Sequence, residues 1–273
     1  MLFHARLISA FCASIAIGGM FVFGYILFPN TILVALASAL LLRIHPITVN
    51  IATHAFADSM LLLAEIAWAS LLSYIIKYSQ NARHWLIMLG GILGYAVSVK
   101  INASMFYIIS LFLIATGAKT TITQYIDKIF LITISAGLTF IFFHPNFFFF
   151  PSYTLYQMIA DRFFITQYHM DYFSHIDASH VLHSIPQRLH SLLSHVFTPV
   201  LQVFFTFGTI YSIYLMLKRC GMQRKIFLLL WISAGIIVEF LLSYVVFDEK
   251  RYFMPLLPFV CLVASSWLLV ITP

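Results

Sequence analysis

Few ionisable side chains lie within the apolar stretches of this chain, and their spacing carries most of its chemical information. Asp58 opens an apolar run, His54 precedes it by four positions, and Glu65 follows two helical turns later. On a continuous helix His54 and Asp58 share one face, which sets an imidazole beside a carboxylate as an acid–base pair. Two readings of Asp58 stay open: a helix-capping or boundary carboxylate, and a carboxylate lining a cleft with His54 as partner. Glu65, deeper in the run, either pairs with a buried cation or stays protonated. Lys100 closes a run containing Gly90, Gly91 and Gly94. It either snorkels to the membrane boundary or meets an anionic group there, and the glycines allow close helix packing.

The second half holds the other candidates. Asp161 and Arg162 sit in an aromatic segment, where a self-paired surface salt bridge is one reading and phosphate contact by Arg162 the other. Arg251 and Tyr252 follow the acidic pair Asp248-Glu249 and precede Pro255 and Pro258. The turn is either a plain hairpin end or a place where the guanidinium fork grips a phosphate. His180 and His183 are three apart, with Asp177 three before them, a spacing that can turn metal ligands to one helical face. No HExxH accompanies them, so a divalent metal is only a weak candidate and aqueous loop histidines are the plainer account. No P-loop, GxSxG elbow or dinucleotide fingerprint is present.

These residues have to be positioned by membrane helices. Apolar residues make up 62% of the 273 and charged residues 9%, against about 45–50% and 25% in soluble domains. Such a chain cannot cover a water-facing surface, so its solvent is lipid. Apolar runs at 7–28, 31–49, 60–78, 85–99, 105–117, 129–143, 196–217, 226–247 and 252–271 predict an all-α polytopic bundle of eight or nine transmembrane helices. The whole of 1–273 reads as one integral membrane unit, with 144–195 as a long outer loop bearing interfacial amphipathic helices. Pro145 and Pro151 should break the chain after the sixth run.

Loop charges orient the bundle. Lys77 and Arg83, Lys119 and Lys128, and the group Lys218, Arg219, Arg224 and Lys225 fall on one side, which should be cytoplasmic. Every histidine except His84 falls on the other side, as do Asp58, Lys100 and Arg251. The net charge of +6 is therefore a topology signal; no basic run is long enough for nucleic acid. Cys12, Cys220 and Cys261 have no CxxC spacing, so neither a thiolate metal site nor a disulfide framework is indicated. Parity puts Met1 on the non-cytoplasmic side, as if the sequence begins one span late.

Taken in order, Ile47 through Asp58 into an apolar helix, Gly90 to Lys100, His144-Pro145-Asn146, and Glu249-Lys250-Arg251-Tyr252 with Pro255 and Pro258 resemble the GT-C membrane glycosyltransferases. The nearest branch comprises the dolichyl-phosphate-mannose protein mannosyltransferases and the aminoarabinose transferases. The resemblance implies a multi-helix bundle that moves a sugar from a polyprenyl-phosphate carrier to a lipid, glycan or protein acceptor on the periplasmic or lumenal face. It matches Asp58, with His54 nearby, to the acidic residue that starts a helix. It matches Lys100, Arg251 and Tyr252 to positions near the carrier phosphate. The family's usual catalytic Asp-Glu pair lies in a first outer loop that has no counterpart here. A truncated or mis-started sequence, a partner polypeptide supplying that part, and an inactive remnant are the alternatives. Asp58 is expected to organise the site rather than to serve as its main base. A lipid-linked substrate transporter or flippase and a non-catalytic membrane subunit are the competing readings.

Overall fold

The computed structural model describes residues 2–54, 57–78, 83–100, 103–117, 121–154, 156–157, 190, 194, 196–218 and 254–270. Among them every regular element is helical. The order is α1 (Leu2–Leu27), α2 (Ile32–Ile44), α3 (Pro46–Thr53), α4 (Asp58–Tyr78), α5 (Arg83–Val99), α6 (Ser104–Gly117), α7 (Ile122–Phe143), α8 (Pro145–Phe149), α9 (Pro199–Lys218) and α10 (Leu257–Ser265), followed by a 3-10 turn at Ser266–Val270.

Three of these helices are long and apolar enough to cross a membrane, and a fourth span results if the bent pair α2–α3 is counted as one. That is fewer than the eight or nine read from the sequence. Several of the expected runs are helices but short ones: α5 has 17 residues, roughly 26 Å at 1.5 Å per residue, against about 30 Å of hydrocarbon. The expected span at 226–247 lies outside the described residues. An all-helical membrane protein is what the described chain amounts to.

The second apolar run, read as one helix, is broken by Pro46, and α2 and α3 meet at 60°. The residue before a proline is pushed out of the helical region, and His45 is accordingly extended at φ −65°, ψ 131°. Its ring repairs the break. Nδ1 accepts the Ile47 N–H at 3.2 Å, which leaves the proton on Nε2 to donate to the Val196 carbonyl at 2.8 Å. A histidine that is 2% exposed thus ties the bend to the chain entering α9.

Helix α4 is the most enclosed of the long helices, with Leu62, Ile66, Trp68 and Leu72 all buried. It packs beside α1 with the same direction: Lys77 Nζ near its C-terminus donates to the Ile26 carbonyl at the end of α1, at 2.5 Å. Trp68 stacks on Phe106 of α6 at 4.7 Å, and its Nε1 donates to Ser110 Oγ at 2.7 Å. The glycines of α5 meet α7 as the sequence suggests. A Cβ at Gly90 would overlap Ser135, and one at Gly94 would overlap the Ala136 carbonyl. The far face of α7 exposes Phe130, Leu138 and Phe142, an apolar exterior suited to lipid.

Helix α7 begins at Ile122, seven residues before the apolar run, because Thr121 and Gln124 form a reciprocal capping box there. Its other end behaves as the prolines dictate: it stops at Phe143, α8 starts at Pro145 and ends at Phe149, and Phe150 before Pro151 is outside the helical region at φ −137°, ψ 64°. Most of the expected outer loop lies outside the described residues.

Candidate functional site

One end of the bundle gathers the ends of three helices. Asp58 is the first residue of α4, and Lys100 directly follows α5, which runs back antiparallel across the short 79–82 connection. Lys100 Nζ donates to Asp58 Oδ1, forming an ion pair between residues 42 apart in sequence. The Asp58 side chain is 2% exposed and that of Lys100 27%. The carboxylate is therefore enclosed and the lysine side chain partly exposed.

The backbone of Lys100 is fixed. Its N–H donates to the Ala96 carbonyl and its own carbonyl accepts from Ala103 N–H, both at 2.9 Å, so it joins the end of α5 to the start of α6. The anionic partner the structure gives Lys100 is a residue of the chain itself, Asp58. Asp58 stands in the first turn of α4, at the helix start as one of its two readings had it, and is buried and paired there.

His144 adds the end of α7. It terminates that helix through its N–H to Phe140 O at 2.9 Å, and its Nε2 lies 3.2 Å from the Ser98 carbonyl, two residues before Lys100. The sequence placed His144 at a helix end but offered no partner for it. No spacing signal in the sequence relates His144 to Ser98, 46 residues away.

The face-sharing expected of His54 and Asp58 does not occur. Helix α3 ends at Thr53, and His54 is extended at φ −105°, ψ 156°. Four-residue helical spacing therefore does not relate it to Asp58. His54 is exposed, and its Nδ1 lies 2.8 Å from Asn50 O and 3.2 Å from Thr53 Oγ1, closing the C-terminus of its own helix. Its role in the structure is a C-terminal cap.

Glu65 is on the same face of α4 as Asp58 and about 10 Å deeper, two turns at 1.5 Å per residue. It is fully buried, and among the described residues neither carboxyl oxygen has a hydrogen-bond partner. The buried cation that the sequence reading allowed for is not among its described neighbours. A buried carboxyl group without a partner among the described residues is costly to structure.

Arg162, Asp177, His180, His183, Arg251 and Tyr252 lie outside the described residues. Among the described residues no three His, Cys, Asp or Glu side chains are grouped to hold a metal ion. Cys12 and Cys261 are free thiols. In chemical terms the described site offers one paired cation at an end of the bundle, an enclosed carboxylate, and an imidazole anchored nearby. No protein-family model, curated protein or solved structure matches the chain.

Proposed function

We propose that the protein is a polyprenyl-phosphate-sugar glycosyltransferase of the GT-C kind, working at the non-cytoplasmic face of a bacterial inner membrane or of the endoplasmic reticulum. The observation that supports this reading is the Asp58–Lys100 pair, which sets a partly exposed lysine side chain at one end of the helical bundle. Eight or nine spans, with 144–195 as an outer loop, complete the architecture in this proposal.

The reaction asks little of the protein beyond charge. The bond between the anomeric carbon and the carrier phosphate breaks, with its electron pair going to the phosphate oxygen. An acceptor oxygen bonds to the anomeric carbon, and its proton passes to a base. A cation near the leaving phosphate offsets the charge that develops there. Lys100 takes that role, joined by Arg162 and by Arg251 with Tyr252 from the second half of the chain. Asp58 organises Lys100, and the acceptor is a lipid, glycan or protein hydroxyl.

Purified protein in lipid nanodiscs, supplied with polyprenyl-phosphate-linked sugars and candidate acceptors, tests this by release of polyprenyl phosphate and appearance of glycosylated product. Absence of sugar transfer across donors would sink the reading. One observation favours a second reading. Glu65 places an ionisable group well inside the bundle, as transporters of lipid-linked substrates do. Substrate movement across proteoliposomes without covalent turnover would select that alternative.

A further inference from the structure

The bend between α2 and α3 is held by a side chain whose hydrogen bonding depends on its charge. His45 is the N-cap of α3: its Nδ1 accepts the Ile47 N–H at 3.2 Å, and its Nε2 lies 2.8 Å from the Val196 carbonyl. A backbone N–H needs a bare ring nitrogen and a carbonyl needs a protonated one. Both bonds therefore form together only in the neutral ring with its proton on Nε2. We propose that His45 is a pH-sensitive latch, which caps α3 while neutral and, on protonation, releases α3 from the bend. The latch does not depend on sugar transfer.

Protonation has three effects in this geometry. It occupies the Nδ1 lone pair, so the Ile47 N–H loses its acceptor and the first turn of α3 loses its cap. It sets a positive charge at a helix N-terminus, where the backbone dipole opposes it. It also makes an imidazolium of a side chain that is 2% exposed, where an uncompensated charge is costly. No described side chain offsets that charge. Arg43 on α2 and His54 after α3 are exposed. Of the helices packed against this bend, α1 brings His4 and Arg6, both exposed, and Cys12; α4 brings Asp58, paired with Lys100, and the buried Glu65; α10 brings the buried Cys261. Tyr25, Tyr74, Lys77 and Tyr78 belong to the opposite ends of α1 and α4, where Lys77 meets the Ile26 carbonyl. On the chain entering α9, His190 is exposed and His195 lies outside the described residues. Among the described residues, none of these hydrogen-bonds or ion-pairs with His45.

The sign follows directly. The cap is fully present above about pH 6.5, the ordinary imidazole midpoint, and is lost as pH falls below it. Helix α3, which buries Ile47 and Ile51, then opens from its N-terminus. It is the element immediately before α4 and Asp58, so the release reaches the chain leading into the candidate site. His54 responds the other way. Its Nδ1 already donates to the Asn50 carbonyl at 2.8 Å, so protonation at Nε2 leaves that bond in place. The added charge then sits at a helix C-terminus, where the dipole favours it. Loosening of α3 by acid therefore belongs to His45 and not to His54.

Amide hydrogen exchange in Pro46–Thr53, read by mass spectrometry on the full chain in nanodiscs, tests the latch without any turnover. Wild type is compared at about pH 8 and about pH 5 with His45→Asn, which caps a helix without titrating, and with His45→Gln, which can donate to Val196 without titrating. Comparing proteins at the same pH cancels the intrinsic pH dependence of exchange and the titration of every other group. The ratio of wild-type to His45→Asn exchange in α3 should rise by about fivefold between the two pH values, the scale of a lost cap, with no such rise in Ile122–Phe143. Against His45→Gln, wild-type α3 should be better protected at the higher pH and lose that advantage at the lower one. This second comparison carries the test if His45→Asn is not monodisperse. A ratio that is the same at both pH values means a joint that does not respond to protons, and overturns the latch. An equal rise in Ile122–Phe143 marks global unfolding and overturns it as well.

Discussion

Lys100, at the end of one helix, reaches the buried carboxylate of Asp58 at the start of another, and the two close one end of the bundle. Nothing local brings them together. Their contact depends on α4 and α5 running antiparallel, and hence on the short connection between them.

The pair should be worth measurable stability. It is neither a solvated pair, worth about 0–1 kcal/mol, nor a fully buried one, whose breaking costs roughly 3–5 kcal/mol. Asp58→Ala should cost about 2–3 kcal/mol, since it leaves a partly desolvated ammonium unpaired. The exchanged pair Asp58→Lys with Lys100→Asp should recover part of that loss. Thermal unfolding in detergent of the single and double variants measures the coupling.

The α5–α7 contact should tolerate no side chain at Gly94. Gly94→Val drives a branched side chain into the Ala136 carbonyl, whereas a Cβ at Gly91 meets Thr139 Oγ1 at an ordinary 3.6 Å. Gly94→Val should lower the yield of monodisperse protein sharply and Gly91→Ala hardly at all. Size-exclusion profiles of the two variants compare them.

His45 should behave as a structural joint. His45→Ala removes the acceptor of the Ile47 N–H and the donor to the Val196 carbonyl. Each group left unsatisfied costs about 1–3 kcal/mol, so a loss of about 2–5 kcal/mol is expected in thermal unfolding. His45→Gln, which can donate to Val196, should lose less.

Glu65 should oppose stability. Its carboxyl has no partner among the described residues, so Glu65→Met, of similar length and apolar, should raise the unfolding temperature. An unchanged or lowered temperature would mean the carboxyl finds compensation that the described contacts lack.

The sequence made the helices legible and the joints less so. Composition points to lipid as solvent, and the apolar runs locate α4 within two residues and the C-terminal ends of α1 and α7 within one, because hydropathy is a local property, while α1 and α7 begin five and seven residues before their runs. Hydropathy does not show the break at Pro46: the apolar character of 31–49 continues through it, and only the rule for residues preceding proline signals it. The capping box at Thr121 lies outside the apolar run, so hydropathy does not mark this helix start. At the site, Asp58 and Lys100 stood out individually because lipid makes charges rare, but their contact is tertiary. The proposed His54–Asp58 partnership assumed one helix through a stretch where α3 stops at Thr53. Glu65 was legible as an intramembrane carboxyl, while its lack of a partner depends on packing that no spacing rule reveals.

Sugar transfer by residue-specific variants tests the central claim most directly. Wild type, Asp58→Ala, Lys100→Gln and Glu65→Gln are compared in nanodiscs with one polyprenyl-phosphate-linked sugar, with thermal unfolding of each variant confirming that it is folded. The account predicts transfer by wild type and by Glu65→Gln, and its loss in both Asp58→Ala and Lys100→Gln. Turnover unchanged by Asp58→Ala or Lys100→Gln would contradict it.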